Sequence, residues 1–105
     1  MTALGSLTVE SVQAVAPDGR AFADGKKLAK PAAWRRLGRD GDAVWGVALG
    51  SKGEPYAVLA RSLEDARCSC PSRKQPCKHA LGLLLLVAAG HAFSEEALPP
   101  GHRYA

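Results

Sequence analysis

Cysteine is absent from most of this chain. All three cysteines lie between positions 68 and 77, and the remainder of the 105 residues contains none. Three thiols cannot all pair, which argues against a disulfide framework as the organising device. The start, Met-Thr-Ala-Leu-Gly, lacks a basic stretch followed by an apolar core, so no signal peptide is expected. The longest apolar run, Ala80 to Ala89, has about half the ~20 residues that a membrane-spanning helix needs. Internal repeats and low-complexity tracts are missing as well. These absences lead to the expectation of one small soluble domain in the cytoplasm, without a membrane partner, whose thiols stay reduced and able to bind metal.

Acidic residues are absent from two stretches. Gly25 to Arg39 holds six basic residues (Lys26, Lys27, Lys30, Arg35, Arg36, Arg39) and no acid. Ala66 to Ser94 holds four more (Arg67, Arg73, Lys74, Lys78), again with no acid. The net charge of +4 gives a mild attraction to polyanions. A solvated face explains such runs equally well, and the second has a further explanation. It contains Cys68, Cys70, Cys77 and His79, three thiolates and an imidazole able to hold a zinc ion, and zinc bound by three thiolates has a negative formal charge that nearby cations would stabilise.

What is present is a mixed pattern. Leu7 to Ala16 reads as a helix behind Ser6 or Thr8, ended by Pro17-Asp18-Gly19. Asp18 to Ala29 reads as a second, weaker helix interrupted by Gly25. Pro31 to Arg39 places Trp34 among cations, and Gly38-Arg39-Asp40-Gly41 reads as a turn. Ala43 to Leu49, Tyr56 to Ala60 and Ala66 to Cys70 read as strands of a meander, with turn chemistry at Gly50 to Pro55 and at Ser62 to Asp65. After a loop from Pro71 to Pro76, Cys77 to Ala89 reads as a helix closed by Gly90 at the C′ position. His91 then falls near the terminal carbonyls of that helix, and the residues from Leu98 onward read as a frayed tail that includes His102. The expected fold is α+β: a small zinc-stapled domain with an N-terminal helical segment, a short antiparallel β-meander and a C-terminal helix. Residues 1–42 form its helical and basic region, 43–92 the metal-binding unit, and 93–105 the tail.

The metal reading rests on spacing. Cys68-Ser69-Cys70, six residues and Cys77-Lys78-His79 supply three thiolates and one imidazole, the complement of a closed tetrahedral zinc site. In a strand, residues two apart share a face, so Cys68 and Cys70 can aim at one ion with Ser69 turned away. In a helix, two residues apart means roughly 200° of rotation, so Cys77 and His79 cannot both lie in regular helix and share a metal. Cys77 is therefore expected at the N-cap and His79 in the first turn. Four protein ligands leave no open position for catalysis, so a single structural zinc and no enzyme activity are expected. A thiol redox switch among the same cysteines is the less favoured reading.

The string Cys-Ser-Cys-Pro-Ser-Arg-Lys-Gln-Pro-Cys-Lys-His-Ala-Leu-Gly, with Cys68, Cys70, Cys77 and His79 at the ligand positions, resembles the bacterial SWIM zinc finger family. The resemblance extends more weakly upstream through Ala16-Pro17-Asp18, Trp34, Val44-Trp45-Gly46 and Pro55-Tyr56. It implies a ββα-like finger, these four residues as zinc ligands, and a non-catalytic role in binding DNA or proteins.

Two functions fit. In the first, Arg67, Arg73, Lys74 and Lys78 contact the phosphates of a nucleic acid, helped by Lys26, Lys27, Arg35 and Arg36, and affinity falls with salt. Trp34 is then either a base-stacking platform or an anchor for its own loop, the latter being the commoner role. In the second, the Leu81 to Val87 run is apolar on every helical face; packing on the hairpin and the N-terminal helix is its commoner role, and the alternative is that the side a hairpin leaves uncovered receives a protein partner or a second copy of the chain.

Overall fold

A computed structural model of the chain describes residues 2–50 and 52–104. Ser51, within the turn expected at Gly50 to Pro55, and Ala105 of the expected tail lie outside the described residues. Among the described residues the helices are α1 (Val9–Val15), α2 (Gly19–Lys27) and α3 (Lys78–Ala88). The strands β1 (Trp34–Asp40), β2 (Ala43–Leu49), β3 (Pro55–Ser62) and β4 (Asp65–Cys68) form one antiparallel sheet in chain order, a meander. The α+β architecture expected from the sequence is present.

Local chemistry places the helix ends. Thr8 caps α1 in a capping box with Ser11: the Ser11 N–H donates to Thr8 Oγ1 at 3.1 Å, and the Thr8 N–H donates to Ser11 Oγ at 2.9 Å. Asp18 caps α2 by accepting from the Ala21 N–H at 2.8 Å. At the end of α3, Gly90 takes a φ of +80°. There the Gly90 N–H donates to Val87 O and the His91 N–H to Leu86 O, the paired bonds of a Schellman closure. His91 thus meets a terminal carbonyl through its backbone, while its ring packs edge-on against Phe93.

Alternation divides the sheet into two faces. Val44, Ala48, Val58 and Ala60 turn inward and share one apolar core with α3. Trp45 and Leu59, cross-strand partners, face outward. Helix α3 lies on the inner face, with α1, α2 and the 3-10 turn Leu4–Ser6 packed around it. Its leucines at 81, 83, 84, 85 and 86 are therefore between 0% and 4% exposed. Each such burial stabilises by about 1.5–3 kcal/mol. The helix is thus packed within the domain, the commoner of the two roles expected for it, and α1, α2 and the sheet cover the side that a hairpin alone would leave free.

Three further expectations are revised. The segment from Trp34 to Asp40 is not a loop and turn but strand β1, and its register slips between Trp34 and Arg36. That bulge breaks the two-residue alternation that marks a strand in sequence. Helix α2 is not interrupted at Gly25. A Cβ there would stand 2.8 Å from Leu81 Cβ, and one at Gly82 would stand 2.7 Å from Leu28 Cβ. The two glycines let α2 and α3 cross in close contact.

The C-terminal segment, finally, is docked rather than frayed. The Arg39 N–H donates to Ser94 O at 2.9 Å and the Glu96 N–H to Arg39 O at 2.8 Å, which occupies the free edge of β1. Glu96 O also accepts from Trp45 Nε1 at 2.8 Å, and buried His102 lies 3.2 Å through Nε2 from Gly46 O. These contacts seal Trp45, which is 0% exposed, on the outer face. No helix among the described residues is long and apolar enough to cross a membrane.

Candidate metal centre

Strand β4 ends at Cys68, whose side chain turns inward toward α3. Ser69 continues the pairing beyond the strand: its N–H donates to Ala57 O at 2.9 Å, and its Oγ accepts from the Ala57 N–H at 2.9 Å. Ser69 is thereby turned away from the site, and Cys70 comes round to the same side as Cys68. The loop of 71–76 then leads through a cis Gln75–Pro76 bond to α3. Its conformation is held by Ser72, which accepts from the Lys74 N–H at 3.2 Å, and by an ion pair of Lys74 with Asp18, the cap of α2.

Cys77 is the N-cap of α3, and its carbonyl accepts the first helical bond from Leu81. His79 is the second helical residue and is 5% exposed. Its Nδ1 lies 3.7 Å from Cys68 Sγ and 3.9 Å from Cys77 Sγ. One ligand atom from each of Cys68, Cys70, Cys77 and His79 falls within 4.8 Å of all the others. Zinc–sulfur bonds of about 2.3 Å in a tetrahedron place donor atoms about 3.8 Å apart, so the cluster has the size that one zinc ion requires. The departure from regular helix at Cys77 is what lets two residues so close in sequence face one point.

Electrostatics agree with a cation at the centre. The Cys77 thiol is pushed down to about 4 by its hydrogen bond with Cys68, with further support from His79 and the Ala80 N–H and against the effect of burial. Its place at a helix N-terminus acts in the same direction. The Cys68 thiol is pushed up by its hydrogen bond with Cys77 and by burial, and burial raises Cys70. Three sulfurs packed this closely cannot all ionise unless a positive charge lies among them.

Of the four cations expected to bind nucleic acid, Arg67 stands apart from the other three. Arg67 lies on the outer face of the sheet, opposite Leu59 in register, and pairs with Asp65 at 3.1 Å. Arg73 is exposed in the ligand loop, Lys74 pairs with Asp18, and Lys78 opens α3. Of the upstream residues, Lys27 pairs with Asp24, Lys26 lies over the Phe22 ring, and Arg36 pairs with Glu96 above Trp45. Arg35 is exposed. Trp34 is 7% exposed and donates from Nε1 to Leu28 O at 2.7 Å, so it ties the start of β1 to the end of α2 and offers no stacking surface.

Sequence reasoning missed a cleft of about 610 Å³ that opens onto the centre, lined by Cys70, Cys77 and His79 together with α2, the end of the β2–β3 hairpin and the ligand loop. Half-exposed Leu49 borders it together with Leu28 and Tyr56. Its one sequence trace is Leu49, a large apolar residue at the end of a strand.

Three cysteines and one histidine, joining a strand end to a helix start, are the donor set of a structural zinc site. Residues 47–88 match the SWIM zinc finger family model, a span that runs from within β2 to the end of α3 and includes all four cluster residues. The cluster fits one structural zinc ion. No curated protein and no solved structure matches the chain.

Proposed function

We propose that this protein is a non-catalytic zinc-binding module that binds nucleic acid through the cations around its finger. Cys68, Cys70, Cys77 and His79 hold the ion and fill its coordination sphere, so the metal builds a surface and leaves no position for a substrate. The observation that carries the recognition half is the ligand loop itself. Arg73, Lys74 and Lys78 stand on or beside the loop that the metal would fix, and no carboxylate occurs between positions 66 and 94. Among the described residues, one ion pair reaches this loop, Lys74 with Asp18, and it is exposed and weak enough for a phosphate to compete with it. A cytoplasmic location, where thiols stay reduced, is the one that suits such a site.

A protein partner seated on the leucine-rich helix is not favoured, since those leucines are buried within the domain. The test is a mobility-shift titration of the zinc-loaded chain with short DNA and RNA over a range of salt. Affinity should fall as salt rises, and Arg73→Ala with Lys78→Ala should reduce the log–log salt slope by about 1–2. An unchanged slope and affinity in the double variant would count decisively against the basic loop.

A further inference from the structure

We propose that residues 94–104 form a strap that masks a second nucleic-acid surface on the outer face of the sheet, and that a single strand displaces it. The proposal rests on the nucleic-acid reading above and extends it to a face away from the ligand loop. Within the strap only His102 is buried, and none of its residues belongs to the apolar core shared by α3 and the inner face. Polar contacts hold it instead. Glu95 pairs with Arg39 at 3.1 Å and accepts from the Gly41 N–H at 3.0 Å, Glu96 pairs with Arg36, and the Leu98 N–H donates to Asp40 at 3.1 Å. All four side chains of the two ion pairs are roughly half exposed, the setting in which such pairs hold weakly. Beneath the strap lies Trp45, with the Arg36 guanidinium 5.3 Å from its ring centre and the His102 ring edge-on against it at 5.8 Å. Trp45 and its partner Leu59 stand outside the inner core, so lifting the strap leaves the enclosure of α3 intact.

With the strap in place, its two carboxylates balance arginines of β1. With it displaced, β1 presents Arg35, Arg36 and Arg39 against Asp40 and, in the turn beyond, Asp42. Arg67, further across the outer face, stays paired with Asp65, and the metal-binding thiols lie toward the inner face. The uncovered edge is therefore positive and lies next to an indole. A phosphate offers a guanidinium the same pair of acceptor oxygens as a carboxylate. A base offers Trp45 a flat partner in place of the His102 edge. A single strand thus replaces both kinds of contact at once. A duplex keeps its bases stacked, and an acidic peptide supplies carboxylates alone.

The experiment titrates the full, zinc-loaded chain with a short labelled oligothymidylate, the same strand in a duplex, and polyglutamate, following the Trp45 indole N–H resonance. Glu95→Gln with Glu96→Gln should keep one zinc per chain, raise single-strand affinity about tenfold and leave duplex affinity behind it, with the bound strand shifting that resonance. The same change of charge elsewhere, Glu10→Gln with Glu64→Gln, should raise affinity about twofold at most, since salt screens distant charges. An equal gain in the two variants, equal affinity of strand and duplex for the loosened one, or a Trp45 resonance that no bound strand moves overturns the strap while the loop reading stands. Absence of nucleic-acid binding in every variant overturns both. Polyglutamate that shifts Trp45 where the oligonucleotide does not overturns the proposal in favour of an acidic protein segment.

Discussion

The C-terminal end of α3 closes on a glycine with the two backbone bonds of a Schellman motif, and the middle of the helix is held by five leucines that the sheet, α1 and α2 enclose. The N-terminal end has neither device. Cys77 makes no side-chain capping bond, and the loop before it, from Pro71 to Gln75, is exposed. What gathers at that end is three sulfurs and an imidazole within 4.8 Å. One end of a single helix is thus stabilised by apolar burial, and the other depends on a bound ion. The difference shows where this small domain places its metal: at the seam between a strand end and a helix start.

Breaking the metal end should have the largest effect. Structural zinc sites carry about 10–16 kcal/mol of apparent binding free energy, comparable to or larger than the roughly 5–15 kcal/mol of a whole domain. Cys77→Ala should abolish zinc binding and cooperative unfolding, as read by metal content and a denaturation curve. At the apolar end, Leu84→Ala should cost about 2–5 kcal/mol and leave one zinc per chain, measured by urea unfolding of the loaded protein. If instead Leu84→Ala expels the metal, the two ends are not separable.

The crossing of α2 and α3 tests the same contrast on a smaller scale. Gly25→Ala should destabilise by about 1–3 kcal/mol although alanine is the better helix former, because the new methyl meets Leu81 Cβ, which cannot swing aside. A gain in stability would mean that the helices have room to part. Thr8→Ala, which removes the cap of α1, should cost about 0.5–2 kcal/mol by the same measurement.

The smallest effect is expected at Asp18, whose exposed carboxyl is held below the usual range by its hydrogen bond with Lys74 and then by the Ala21 N–H. A depressed carboxyl contributes stability above its unfolded-state value, and that contribution is lost as pH falls through the lowered one. Asp18→Asn keeps a capping side chain and removes the charge. Its unfolding midpoint should therefore lie slightly below that of the parent at neutral pH and converge with it below about pH 4.

Much of the metal end is legible in sequence because it is local. The spacing of Cys68 and Cys70 on a strand, and the change of direction at Cys77, follow from the periods of strand and helix and need no distant contact. Gly90 is readable for the same reason. The rest depends on partners far along the chain. The register slip between Trp34 and Arg36 hides β1, since neighbouring arginines on an edge strand read as a basic loop. Gly25 looks like a helix breaker until Leu81, more than fifty residues later, is seen against it. The docking of the C-terminal segment uses backbone groups of Ser94 and Glu96, which leave no side-chain signature. Burial of the leucines is readable from their run, but how completely they are enclosed depends on α1 and α2 both packing around α3.

Metal analysis of the purified chain, combined with unfolding before and after chelation, addresses the seam between the two ends most directly. The account predicts one zinc per chain, with chelation disordering at least the ligand loop and the start of α3 and greatly lowering the unfolding midpoint. A protein that carries no zinc, or that loses it with an unchanged midpoint, would contradict it.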